Sequence, residues 1–108
     1  MIETNLNLEE TVGKVKSIIL NNFLSYYLLE EYKRESSDKA YVTLIFEKSL
    51  FGSDWSSLVI IIDNLSAKTK IHVKVVGSRK AIISPKNKYL KLEEKILKKI
   101  KEEIKNSR

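Results

Sequence analysis

The chain contains no cysteine, and only one histidine, one tryptophan, one proline and three glycines in 108 residues. Without cysteine there can be no disulfide, no thiolate metal site and no cysteine nucleophile. A single histidine cannot build a His-rich metal site. So little glycine and proline excludes collagen-like and linker-like chains. No run approaches the roughly 18 apolar residues of a membrane span. Met1 is followed by Ile-Glu-Thr-Asn and not by a basic segment with an apolar core, so no secretory leader is expected. Apolar residues at 43% and charged residues at 31% match an ordinary soluble domain. The expectation is one cytoplasmic domain over residues 1–108.

A formal charge of +6 suggests an acidic partner. Its distribution argues against a charged binding face spread over the domain. Residues 1–78 carry 9 basic and 10 acidic side chains, whereas residues 79–108 carry 11 basic and 4 acidic ones. Lysine supplies 17 of the 20 basic residues. Readers of bases and phosphates favour the bidentate guanidinium of arginine, so a lysine excess points to solubility or loose attraction.

Hydrophobic spacing predicts a helix over 8–22, with Leu8, Val12, Val15, Ile19 and Phe23 on one stripe. Asn7 and Glu10 stand at the positions of a capping box. Ile2, Thr4 and Leu6 alternate with polar residues, allowing a short first strand. Residues 25–34 could prolong the helix or form a strand. The strand is preferred, because Asn21 and Asn22 suit a helix end and three tyrosines suit a pleated surface. Clear strands follow at about 40–48, up to Asp63, and over Thr69–Val76, with turns at Glu35–Lys39 and Asn64–Lys68. Ala81–Ser84 allows a short extension. The last segment reads as a basic amphipathic helix with Leu92, Ile96, Leu97, Ile100 and Ile104 on its apolar face. Ser84-Pro85 resembles its cap, and Asn87 offers a later start. The fold class expected is α+β: a two-layer sandwich with an antiparallel meander of four or five strands and both helices on one face.

Alternation then divides the strand residues between two faces. One, with Leu28, Val42, Leu44, Phe46, Leu58, Ile60, Ile62, Ile71, Val73 and Val75, is uniformly apolar and should meet the helices. The other carries Tyr27, Leu29, Tyr41, Thr43, Ile45, Val59, Ile61, His72, Lys74 and Val76. That is too much apolar surface for a face left in water. A second copy of the chain is the preferred cover, with the chain termini or a ligand as alternatives. A nucleic-acid reading would use Tyr27 and Tyr41 as stacking platforms beside His72 and Lys74, helped by Lys91, Lys95 and Lys98 on the last helix. Against it, Ile45, Val59 and Ile61 are poor partners for a phosphate backbone.

The connection Ser49–Trp55 holds Leu50, Phe51 and the single tryptophan, where loop tips are usually polar. Phe51 and Trp55 are either interface anchors or side chains folded back over a sheet edge. Catalytic patterns are missing. His72 has no Ser, Asp or Cys at a triad-like position. Glu9-Glu10 and Glu30-Glu31 are adjacent, so their members point different ways. Gly52-Ser-Asp lacks the glycines of a phosphate loop. No catalytic, cofactor-binding or metal residue is expected. The last helix is diluted by Glu94, Glu102 and Glu103 and its apolar face is needed by the sheet, which argues against a membrane-surface role.

Leu44-Ile-Phe-Glu-Lys48 followed by Ser56-Ser-Leu-Val59 resembles a pattern in a family of small uncharacterised proteins from Gram-positive bacteria. The resemblance places a Tyr/Glu-rich strand at Tyr26–Arg34, a strand ending at Val76-Gly77-Ser78 and a helix last. The chain departs from the pattern at Arg79-Lys-Ala, where a glycine-rich run is expected. The resemblance implies the fold and a strand at 26–34, and it brings no activity or site residue. The reading that results is a non-catalytic, self-associating interaction module, a homodimer with Tyr27, Tyr41, Ile45, Val59, Ile61, Val76, Phe51 and Trp55 as interface candidates. The alternative is weak, non-specific nucleic-acid binding.

Overall fold

Asn7 starts the first helix. Its Oδ1 accepts from the Glu10 amide at 2.8 Å, and its Nδ2 donates to Glu10 Oε1 at 2.7 Å. In the computed structural model, which describes residues 1–49, 55–77 and 86–106, the chain runs β1 (Ile2–Thr4), α1 (Leu8–Asn22), β2 (Tyr27–Ser36), β3 (Lys39–Ser49), β4 (Trp55–Asp63), β5 (Thr69–Gly77) and α2 (Lys86–Asn106). The sheet order is β1-β5-β4-β3-β2, antiparallel throughout. This is the expected α+β fold, with the optional first strand present beside β5.

The helices cover one face. Val42, Leu44 and Phe46 of β3, Leu58, Ile60 and Ile62 of β4, and Ile71 and Val75 of β5 form one buried cluster with Val12, Val15 and Ile19 of α1 and Ile96, Ile100 and Ile104 of α2. α2 packs on β5, and α1 packs on α2 and β4. Polar groups caught in this layer are paired: Tyr26 Oη and Ser56 Oγ lie 2.8 Å apart, and Thr69 Oγ1 donates to the Leu6 carbonyl at 2.8 Å. Among the described residues no buried side-chain polar atom lacks a partner.

Gly13 faces solvent on α1, and a Cβ placed there would meet nothing within 4 Å. The sequence leaves room for a close contact at this glycine, and none exists. Gly13→Ala is therefore expected to raise the unfolding free energy by about 0.5–1 kcal/mol, read from the urea midpoint at unchanged slope.

Four local expectations are corrected. β2 extends to Ser36, so the turn tightens to Ser37-Asp38, with Ser37 at a φ of 56°. β4 already begins at Trp55, which pairs with Ser49, so Trp55 opens a strand and does not lie in the connection before it. Asn87 falls inside α2 and cannot be its cap. The fourth concerns β2, where the register slips between Leu28 and Glu30. Leu28 opposes Phe46 and Glu30 opposes Ile45, which leaves Leu29 as the extra residue of a β-bulge. Leu29 is thus not part of the regular alternation, and Glu30, Tyr32 and Arg34 take the face that strict alternation from Tyr27 would deny them. Leu50, Phe51, Gly52, the Ala81–Ser84 extension and the Ser84-Pro85 cap lie outside the described residues.

Candidate interface on the helix-free sheet face

Register fixes which side chains meet on the face that the helices leave open. Tyr32, Thr43, Ile61 and His72 lie side by side across β2 to β5. Glu30, Ile45, Val59 and Lys74 form the next row, and Tyr27, Glu47, Ser57 and Val76 the one beyond. On the other side run Arg34, Tyr41, Asp63 and Lys70, continued by Glu3 of β1. Ile61 at 38%, Tyr41 at 40%, Val76 at 45%, Tyr27 at 47% and Tyr32 at 52% remain open to solvent, and Ile45 and Val59 are half-buried between their neighbours. Neither described end of the chain covers them: β1 lies in the sheet and α2 packs on the opposite layer.

Six of the interface candidates therefore share one surface: Tyr27, Tyr41, Ile45, Val59, Ile61 and Val76. Trp55 is at the start of β4, at the end of the sheet that Tyr27 and Val76 approach. The nucleic-acid set does not come together in the same way. Tyr27, Tyr41, His72 and Lys74 are on the open face, but Lys91, Lys95 and Lys98 are exposed on α2, on the far side of the sheet. Lys95 and Lys98 border an open groove with Asn22 and Phe23 of the α1 end.

Sequence reasoning missed Tyr32, Glu30 and Arg34, because the bulge at Leu29 switches the parity of β2. The signal was there in the adjacent pair Leu28-Leu29, since strict alternation rarely puts two leucines together on a half-buried strand. It also missed an acid beside the histidine. His72 Nε2 lies 3.3 Å from Asp63 Oδ2, because antiparallel pairing of Asp63 with Lys70 sets His72 on the neighbouring diagonal. The other Asp63 oxygen accepts from the Leu65 amide at 3.2 Å. This pair orients the imidazole but supplies no nucleophile to it. The split of Glu30 from Glu31 holds: Glu30 is on the open face, and Glu31 is on the helix side, paired with Lys16 at 2.9 Å. Among the described residues no cluster of metal-ligating side chains occurs, and no helix is long and apolar enough to cross a membrane.

Comparison with known protein families leads to one assignment. The chain belongs to DUF6054, a family of unknown function. The DUF6054 match covers residues 1–108. No curated protein and no solved structure matches the chain. Membership of DUF6054 thus agrees with the unassigned family expected from the strand motifs, and it transfers no chemistry to the open face.

Proposed function

We propose that this DUF6054 protein is a non-catalytic, self-associating interaction module of the cytoplasm, and that a second copy seats on the helix-free sheet face. The observation that carries the reading is the row structure of that face. Ile45, Val59, Ile61 and Val76 run through its middle, three tyrosines border them, and nothing in the described chain covers them. Aromatic side chains around an apolar centre are the make-up of a protein interface core. The charges also favour a protein partner over a polyanion. Glu3, Glu30, Glu47 and Asp63 offset Arg34, Lys70 and Lys74 on this face. Sedimentation over a concentration series tests the proposal, with dimer expected at tens of micromolar. A wild-type monomer throughout that range would overturn it.

One observation favours the nucleic-acid reading as a second choice: Arg34 stands directly opposite Tyr41, with Tyr32 and Tyr27 on the same face. Binding of that kind is expected to be weak and sequence-independent. The separate lysines of α2 neutralise only a few phosphates, and counterion release makes such binding fall steeply with salt. Filter binding of two unrelated oligonucleotides at low and moderate salt checks this. Salt-resistant binding that prefers one sequence would promote the tyrosine platform to first place.

A further inference from the structure

The two edges of the sheet are treated differently. At the β5 side, β1 covers Thr69–Ile71, and beyond it Glu93 of α2 reaches over to accept the Val75 amide at 3.0 Å. On that side the outermost strand, β1, is only three residues long, and the Val75 amide of β5 beyond it is taken by a side chain. The β2 edge is ten residues long, and all of them but half-buried Leu28 are exposed. An edge of this length is a template for another strand unless its side chains forbid it.

The free backbone groups on β2 can be located. Ser36 and Lys39 flank a two-residue turn, so they must be a hydrogen-bonded pair. Hydrogen-bonded pairs then recur at Arg34–Tyr41 and Tyr32–Thr43. The amides and carbonyls of Glu31, Lys33 and Glu35 consequently point away from β3, into solvent.

The side chains around them form the run Glu30-Glu31-Tyr32-Lys33-Arg34. Read against its own reverse, this run is complementary in charge. We propose that β2 is a self-pairing edge: two copies of the chain join antiparallel through β2 about a two-fold axis at Tyr32, so that their sheets become one. This register places Glu31 opposite the second copy's Lys33, as hydrogen-bonded pairs on the helix side. It places Glu30 opposite Arg34 on the open face, with Tyr32 against its own copy at the centre. The faces match only when the axis falls on a residue, because a shift by half a step would turn one sheet over. Moving the axis to Lys33 sets that lysine against itself and Glu31 against Glu35. Moving it to Glu31 sets that carboxylate against itself. Like charges directly opposite are unfavourable, so Tyr32 is the preferred centre. An isologous contact of this kind closes after two copies and leaves no further β2 edge free.

This contact is separate from the open face and does not rest on the reading given for it. The test uses the absence of native cysteine. Tyr32→Cys places two thiols at a non-hydrogen-bonded pair, where strands approach closely enough for a disulfide, and an oxidised dimer is expected. Adding E30K/E31K should suppress the cross-link and, in an Ile61→Lys background where the open face holds no second copy, should weaken dimerisation roughly ten- to a hundredfold in sedimentation. The same loss is expected for K33E/R34E. Combining all four substitutions restores complementarity with the signs reversed, and should restore both readouts. Mixing the two double variants should give a heterodimer. Cross-linking should persist in an Ile61→Lys background, which separates this edge from the open face. The proposal is overturned if the fourfold variant fails to regain the cross-link, or if E30K/E31K leaves it unchanged. The first result would mean that β2 pairs with a different partner, and the second that Tyr32 meets its copy in another geometry.

Discussion

Phe46→Ala is expected to destabilise the fold by about 3–5 kcal/mol. Phe46 is fully buried in the middle of the sheet, opposite Leu28 on β2 and Leu58 on β4. Two terms add. The ring's buried apolar surface shrinks to a methyl group, and the space it leaves cannot readily collapse, because β3 is held by backbone pairing to β2 on one side and β4 on the other. A domain of this size has roughly 5–15 kcal/mol of stability in total, so the variant should sit near the edge of folding. Urea unfolding followed by circular dichroism checks the size of the effect. Phe46→Leu should lose much less, since most of the apolar volume stays. If both variants lost under about 1 kcal/mol, the residue would not be the keystone of the β2–β3–β4 contact that its burial implies.

Tyr26 sits next to this region and shows how the sheet handles polarity. Its hydroxyl meets Ser56 Oγ inside the core, and the Lys48 ammonium lies 5.4 Å from its ring centroid. The ring ties the chain leaving α1 to the start of β4, and the Tyr26 amide bonds to the Phe23 carbonyl at 2.9 Å, closing a turn directly after the last helical bond from the Phe23 amide to the Ile19 carbonyl. This is why the ambiguous stretch after Asn22 leaves the helix. Leu24 would have continued an apolar stripe, but it is 81% exposed because the chain turns away before it.

Much of this was legible in the sequence because the patterns are clear. α1 and α2 repeat at helical spacing, and Val42–Phe46 and Leu58–Ile62 are short, β-branched apolar runs between turn residues, so element type follows from the pattern; Leu58–Ile62 is apolar throughout, so parity groups its side chains by face without saying which face is buried. What alternation could not reveal was a change of parity. The bulge at Leu29 adds one residue to β2, and every side chain beyond it changes face relative to a straight count. That single residue moves Tyr32 and Arg34 onto the candidate interface and Lys33 off it. The Asp63–His72 contact was hidden for a related reason. It depends on the pairing offset between two strands, which the period within each strand does not encode. Glu93 looked like one acid among several on a charged helix. Its role in covering the Val75 amide appears only once α2 is laid along β5.

Ile60 and Ile61 are neighbours on β4, and lysine at the two positions should give opposite phenotypes. Ile60 is fully buried between Leu44 and Val73 on the helix side, and Ile61 is 38% exposed between Thr43 and His72 on the open face. Ile60→Lys would force an ammonium into the core; the carboxylate of its register row, Glu31, stands two strands away beyond Leu44 and is already paired with Lys16. A buried unpaired charge costs several kcal/mol, so this variant should unfold or aggregate. Ile61→Lys keeps the fold, because its ammonium can reach water past the edge of Thr43, and the urea midpoint should shift by the equivalent of less than about 1 kcal/mol. In the self-associated state the same ammonium would be trapped between two apolar faces. Dissociation by a hundredfold or more is therefore expected, since each tenfold corresponds to about 1.4 kcal/mol. Sedimentation of Ile61→Lys in an E30K/E31K background, where the β2 edge no longer pairs, should show that the helix-free face no longer holds a second copy. Ile61→Val, which trims one methylene, should remain associated. If Ile61→Lys folds and associates in that background as its Ile61 parent does, the helix-free face is not where copies meet, and the open tyrosine-bordered surface must serve a partner that tolerates a cation at its centre.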